Sequence, residues 1–195
     1  VNFLVHMLLS GEDEQLLVGN FMGDFVKGRL EDRFPEGIRK GIELHRRIDT
    51  FASQNPHFRC SRQRISPDYG LYRGVLVDLF YDHLLASAWD EWTDEPFDRF
   101  LTRTRRAAEH QHSFIPPNMQ KVLPVIFGEL LPSYESVEGI AAALGRMSRR
   151  ISRPNPLSGG AAELVRHLEE FAVDFRQFMP EIRDFTAPLV ACCLR

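Results

Sequence analysis

The chain has 195 residues, of which 44% are hydrophobic and 26% charged, a balance that excludes a disordered, collagen-like or fibrous protein. A chain this long buries roughly 70% of the surface its unfolded form exposes and needs no disulfide or structural metal merely to fold, so any metal would serve chemistry. The formal charge of −3 argues against a general nucleic-acid binder, and no run reaches the roughly 18 apolar residues of a membrane span.

Sustained 3.6-residue periodicity with almost no alternating β-branched stretches predicts an all-α chain. Helices are expected over 2–9, 13–27, 36–53, 56–64, 67–92, 95–113, 117–130, 135–152, 159–178 and 180–193. Pro67 after Ser66 and Pro96 after Asp94 suit first-turn positions, and Pro154-Asn155-Pro156 stops the helix that ends near Arg153. No connection exceeds an ordinary inter-helix loop, which predicts one domain over 1–195 with a site-bearing half to about residue 92. The first ten residues carry no basic leader or small-residue cleavage site, and two of the three cysteines, Cys192 and Cys193, are adjacent. A reduced, cytoplasmic protein is expected. The opening Val1 is compatible with a start codon read literally.

Ligand-type side chains stand where the surrounding pattern says core. Asp78 is bracketed by Val75, Leu76, Val77, Leu79, Phe80 and Tyr81. Asp82 follows four residues later on the same helical face, with His83 turned to the side. Two carboxylates at that spacing repel, and burying either without a partner costs several kcal/mol, penalties that a cation removes. His6 is the lone ionisable residue of Val1–Leu9, Asp24 the lone one of Leu16–Val26, and His45 and Asp49 lie four apart on a third helix. Four helices thus each offer His or Asp inward. Imidazole plus carboxylate, without thiolate, suits Mn²⁺, Fe²⁺ or Zn²⁺. Such a cation on His6, Asp24, His45 and Asp78 would lower the pKa of a bound water and polarise a phosphoryl group. Asp49, Asp82 and His83 would then orient ligands or carry protons.

The chain has 21 arginines against three lysines. Arg146, Arg149, Arg150 and Arg153 follow i, i+3, i+4, i+7 spacing, and Arg99, Arg103 and Arg106 form a shorter stripe. On a net-acidic protein such stripes suit an acidic protein surface or a phosphorylated ligand better than long DNA.

Four blocks carry a family likeness: Asn2-Phe-Leu-Val-His6, Gly19-Asn20-Phe-Met-Gly23-Asp24-Phe-Val-Lys27-Gly28, Gly41-Ile-Glu-Leu-His45-Arg46-Arg47-Ile48-Asp49, and Asp78-Leu-Phe-Tyr-Asp82-His83-Leu-Leu. In this order and spacing they resemble the bacterial acyl carrier protein phosphodiesterases, while the C-terminal half matches only as a helical continuation. The resemblance implies a single-domain helical bundle of the HD-domain phosphohydrolase type. It also implies dependence on a divalent metal, Mn²⁺ foremost with Fe²⁺, Mg²⁺ or Zn²⁺ as alternatives. The reaction implied is hydrolysis of the phosphodiester joining 4′-phosphopantetheine to a serine of acyl carrier protein, the acidic partner. The family's motif residues map onto His6, Asp24, His45 and Asp78. A contiguous His-Asp pair is missing and is replaced by Asp24 after glycine or by the reversed Asp82-His83, so the carboxylate in the HD-type role is left open. In that chemistry Arg46 or Arg47 would steady phosphate oxygens and His83 would protonate the departing serine oxygen. Arg146, Arg149, Arg150 and Arg153 would bind the carrier. Two rival readings share these residues: a phosphohydrolase acting on a nucleotide or other small ester, and a non-catalytic helical protein that binds an acidic partner.

Overall fold

A computed structural model describes residues 2–30 and 33–193, and Val1 falls outside them. The described residues are all-α, with no strand. In chain order the helices are α1 (Phe3–Leu8), α2 (Glu14–Phe21), α3 (Glu36–Gln54), α4 (Pro56–Arg64), α5 (Tyr72–Ser87), α6 (Phe97–His110), α7 (Pro117–Gln120), α8 (Leu123–Val125), α9 (Leu131–Ser133), α10 (Val137–Arg150), α11 (Ala161–Arg166) and α12 (Leu168–Cys193). None is long and apolar enough to cross a membrane.

Helix α5 is the axis of the bundle. Ten of its residues, from Leu76 to Ala86, are buried, because a helix that is apolar all round is stable only when neighbours cover every side. Helices α1, α4, α10 and α12 all pack on it. Asp82 sits among those buried residues and accepts hydrogen bonds from the backbone N–H groups of Leu4 (2.9 Å) and Val5 (3.0 Å). A short helix such as α1, whose Asn2 provides no side-chain cap, leaves its first N–H groups orphaned, and a carboxylate there satisfies them and complements the helix dipole. Asp82 thereby fixes the helix that carries His6.

The pair α2 and α3 shares the most extensive helix contact in the chain, and the cause is glycine. A Cβ on Gly19 would overlap the Ile38 carbonyl oxygen, and one on Gly41 would overlap the Leu16 carbonyl oxygen. Only glycine at both positions lets the two backbones touch. Asn20 follows the first glycine and His45 lies one turn after the second, so this crossing brings them together.

Several expected helix limits are corrected. The helix expected over 13–27 ends at Phe21 and gives way to a 3₁₀ turn, Gly23–Phe25, because Gly23 must pack directly on the His45 ring. The helix expected over 67–92 begins only at Tyr72, after Gly70 at φ +49° breaks the chain. The segment expected as a helix over 117–130 is interrupted at Lys121 and Val122, just before Pro124, and contains a π-helical turn at Ile126–Leu130. The break expected at Pro180 falls instead at His167, whose φ of −124° and ψ of 27° end α11. Helix α12 runs through Pro180 and Pro188. An interior proline costs about 3 kcal/mol. Phe171, Phe175, Phe178, Met179 and Ile182 are buried on one face, and at roughly 1.5–3 kcal/mol each their burial outweighs that penalty. Finally, α10 stops at Arg150, with Ile151 extended, so Arg153 leaves the stripe it was expected to complete.

Candidate metal centre

Two imidazoles and a carboxylate meet where α1, α2 and α3 converge. The His6 and His45 rings stack with centroids 4.0 Å apart and planes inclined by 15°. Asp49 lies between their Nε2 atoms, with Oδ1 3.2 Å from His6 and Oδ2 3.1 Å from His45. The ligand-type atoms of His6, His45 and Asp49 all lie within 4.8 Å of one another. Asp24, on the turn after α2, brings Oδ1 to 3.4 Å from His45 Nε2.

Asn20 sets the tautomer of both rings. Its side-chain nitrogen donates to the His6 carbonyl and to Ser10 Oγ, each at 2.8 Å, which leaves Oδ1 to accept from His6 Nδ1–H at 2.8 Å. Its backbone carbonyl accepts from His45 Nδ1–H at 2.8 Å. With Nδ1–H engaged in this way, each ring in its neutral form turns an Nε2 lone pair toward Asp49, the outer-ligand arrangement that orients metal-binding histidines. His45 Nε2 is buried and makes no aligned hydrogen bond, despite its two flanking carboxylates. A buried ring nitrogen facing carboxylate oxygens without a proper hydrogen bond fits a divalent cation of intermediate hardness.

Electrostatics point the same way. Burial lowers the His6 pKa to about 4, and the neighbouring His45 adds to the effect. Burial also disfavours the charged form of His45, but Asp24 and Asp49 outweigh it and raise its pKa to about 9. Burial pushes the Asp49 carboxyl up, yet His45 and His6 more than reverse this and hold it far below the usual carboxylate range. His45 likewise lowers Asp24. In the absence of a cation the proton on His45 offsets only part of the charge on Asp24 and Asp49, and a cation would replace that proton.

The expected site residues divide into groups. His6, His45 and Asp24 are brought together, and Asp49, expected to orient ligands or carry protons, stands at the middle of the cluster. Asp78, expected as a ligand, is not among the residues whose ligand-type atoms converge within 4.8 Å; burial raises its pKa, with the charges of Asp49 and Asp24 adding to the shift. Asp82 acts one layer out, at the start of α1, and burial lifts its pKa to about 7 against the two backbone N–H groups. The structure does not bring His83 in. Its Nδ1 donates to the Tyr134 carbonyl at 2.7 Å, and its ring lines a separate cavity with Glu91, Trp92 and Arg176. Arg46 donates to the Gly28 carbonyl at 2.9 Å and ties α3 to the loop after Asp24. Arg47 lies over the Phe185 ring at 5.9 Å. Asn20 was missed, because an uncharged amide in an apolar helix was not counted among the ionisable signals. Beside Asp24 opens a cavity of about 270 Å³, whose lining includes Phe3, Phe25, Tyr134, Arg146 and Arg150. Arg149 and Arg153 are exposed and are not among its lining residues. The shorter stripe is partly engaged within the chain, since Arg103 pairs with Glu95 through two hydrogen bonds.

A family model described as acyl carrier protein phosphodiesterase matches residues 1–182. The chain belongs to this family. The acyl carrier protein phosphodiesterase of Pectobacterium atrosepticum is 30% identical over 184 residues, covering 93% of this chain and 95% of the relative. That of Photorhabdus laumondii subsp. laumondii is 29% identical, covering 92% of each chain. That of Escherichia coli O45:K1 is 28% identical, covering 94% of this chain and 96% of the relative. No solved structure matches the chain. Family membership spans the blocks holding His6, Asn20, Asp24, His45, Asp49 and Asp78 together with the helical C-terminal half.

Proposed function

We propose that this protein is a metal-dependent phosphodiesterase that cleaves the bond between 4′-phosphopantetheine and the serine of holo-acyl carrier protein, releasing apo-carrier protein and 4′-phosphopantetheine. The observation that carries the reading is the convergence of His6, His45 and Asp49 within 4.8 Å, in a chain whose named relatives are acyl carrier protein phosphodiesterases. His6, His45 and Asp49 would hold the cation, with Asp24 Oδ1, 3.4 Å from His45 Nε2, as a further oxygen donor. When bound there, a divalent ion such as Mn²⁺ supplies Lewis acidity: it lowers the pKa of water and offsets charge on a phosphoryl group.

The chain's own groups do the rest. Asn20 holds both rings by Nδ1, so that each would present Nε2 to the ion without turning, once His45 gives up its proton. Asp24, whose side chain is 58% exposed, is the carboxylate shared by the cluster and the cavity, and the oxygen it does not turn to His45 would accept a proton from the attacking water. In the balanced step, a water oxygen bonds to phosphorus, the bond from phosphorus to the serine oxygen breaks, and a proton ends on that oxygen. Arg46 anchors the loop that carries Asp24 and acts through it.

Mass spectrometry of holo-acyl carrier protein incubated with the protein tests this reading. Loss of the phosphopantetheine mass is expected with Mn²⁺ and is expected to stop with EDTA or in His45→Ala. Intact holo-protein after long incubation with Mn²⁺ would refute it and favour a non-catalytic binder.

A further inference from the structure

The chemistry proposed above uses the cluster but leaves the cavity beside it without an occupant. That cavity shares Asp24 with the cluster and is walled mainly by apolar side chains, among them Phe3, Phe25, Val125, Ile126, Leu130 and Met147. Ile126 and Leu130 stand at the two ends of the π-helical turn, a local widening of helix that recurs at functional sites. Polar groups in the lining are few. Asn2 and Tyr134 are tied to each other, with Asn2 Nδ2 donating to the tyrosine hydroxyl at 3.1 Å.

Arg146 is the exception. Its side chain is only 29% exposed, and its closest acid is Glu129 at 3.8 Å, beyond hydrogen-bond reach. Its Nε is buried with no hydrogen-bond partner among the described residues. A buried donor left unsatisfied is costly until an acceptor reaches it. Arg150 lines the same cavity one turn along α10. The lining therefore suits a slender ligand with a mostly apolar body, carbonyl or phosphate oxygens for a guanidinium, and one end beside Asp24.

We infer that this cavity is the seat of the pantetheine arm, and that Arg146 and Arg150 are positioning residues for the arm rather than part of a docking face for the carrier. The identity of the ligand rests on the phosphodiesterase reading. The arm's dimethyl group adjoins its phosphate, so with the phosphate at the cluster that group meets the apolar wall next to Asp24. The amide carbonyls beyond it supply acceptors for the accessible part of the Arg146 guanidinium, whose contact with Glu129 is beyond hydrogen-bond reach. Holding the arm in this way aligns the phosphodiester without adding any group to the reacting atoms.

Isothermal titration of the Mn²⁺-supplied protein with 4′-phosphopantetheine, and separately with inorganic phosphate, measures this without turnover. Wild type is expected to bind 4′-phosphopantetheine about tenfold or more tighter than phosphate. Val125→Trp, at a half-buried wall position, and Arg146→Met are each expected to remove most of that advantage, while phosphate affinity changes less than about twofold. Arg146→Lys is expected to restore only part, since an ammonium cannot present a planar fork of donors. Equal affinities in wild type, or a full advantage retained in both Val125→Trp and Arg146→Met, would overturn the inference. Cleavage of holo-carrier protein, followed in parallel, separates the two proposals. Cleavage without the affinity advantage removes the cavity assignment alone; an intact advantage lost in the variants, with no cleavage, supports the cavity and removes the hydrolase.

Discussion

Asn20 organises the cluster without offering it a ligand atom. Its side-chain oxygen fixes His6 and its backbone carbonyl fixes His45, so Asn20→Ala frees the His6 ring to adopt either tautomer while the carbonyl still holds His45. Mn²⁺ affinity is expected to fall about 10–100-fold, with helicity retained, in titrations monitored beside circular dichroism. Its neighbour in the cluster gives a pH signature. The His45 pKa is raised from 6.5 to about 9 in the metal-free fold, so the charged imidazole stabilises the folded state fully below pH 6.5. That stabilisation is lost as pH rises through 9. Denaturation in EDTA is expected to show wild type losing about 3 kcal/mol relative to His45→Gln between those limits. Added Mn²⁺ is expected to reverse the slope, because the ion competes with the proton and binds more strongly as pH rises. At this scale the sequence was partly legible. Charged residues in apolar runs mark themselves, as His6 and Asp24 do, while His45 and Asp49 are marked by their i, i+4 spacing. A buried amide carries no such penalty pattern, and whether His83 faces the cluster depends on a rotation of 100° per residue along α5, which no local pattern reveals.

Glycine sets the geometry of the elements that carry the site. Gly19→Ala places a methyl against the Ile38 carbonyl oxygen, a backbone atom that cannot turn aside. The expected cost is about 1–3 kcal/mol in urea denaturation, with the midpoint shifted and the slope unchanged. Gly23→Ala is different in kind, since its methyl would overlap only the His45 ring. Its expected effect is weakened Mn²⁺ binding with a smaller loss of stability, and equal losses in the two variants would contradict this assignment. Helix content was legible wherever periodicity was strong: the α3 and α4 regions were placed within a residue or so of Glu36–Gln54 and Pro56–Arg64. The misplaced limits trace to tertiary effects. Pro180 failed to break α12 because aromatic burial outweighs its penalty, and the expected helix over 13–27 stopped at Phe21 because Gly23 answers to a ring on another helix.

Over the whole molecule, positive charge has two distinct settings. Arg146, half-buried, and Arg150, exposed, line the cavity, whereas Arg149 and Arg153 are exposed and do not line it. The second pair is free of the cavity to meet an acidic carrier protein. Arg149→Glu with Arg153→Glu is expected to raise KM for holo-carrier protein several-fold at low ionic strength with kcat little changed. The effect should fade by about 0.5 M salt, where the Debye length falls to a few ångströms. A kcat loss insensitive to salt would instead place these arginines at the reacting centre. The sequence grouped all four arginines because a regular helix was assumed to Arg153. The end of α10 at Arg150 and the cavity beneath it divide them, and both depend on packing against distant segments.

The central claim is that His6, His45 and Asp49 form one cation site. Equilibrium titration of metal-free protein with Mn²⁺ tests it most directly, with folding of every variant checked by circular dichroism. His6→Ala, His45→Ala and Asp49→Ala are each expected to lower Mn²⁺ affinity at least about 100-fold, while His112→Ala, at an exposed position, matches wild type. Mn²⁺ bound equally by wild type and by folded His45→Ala would contradict the account.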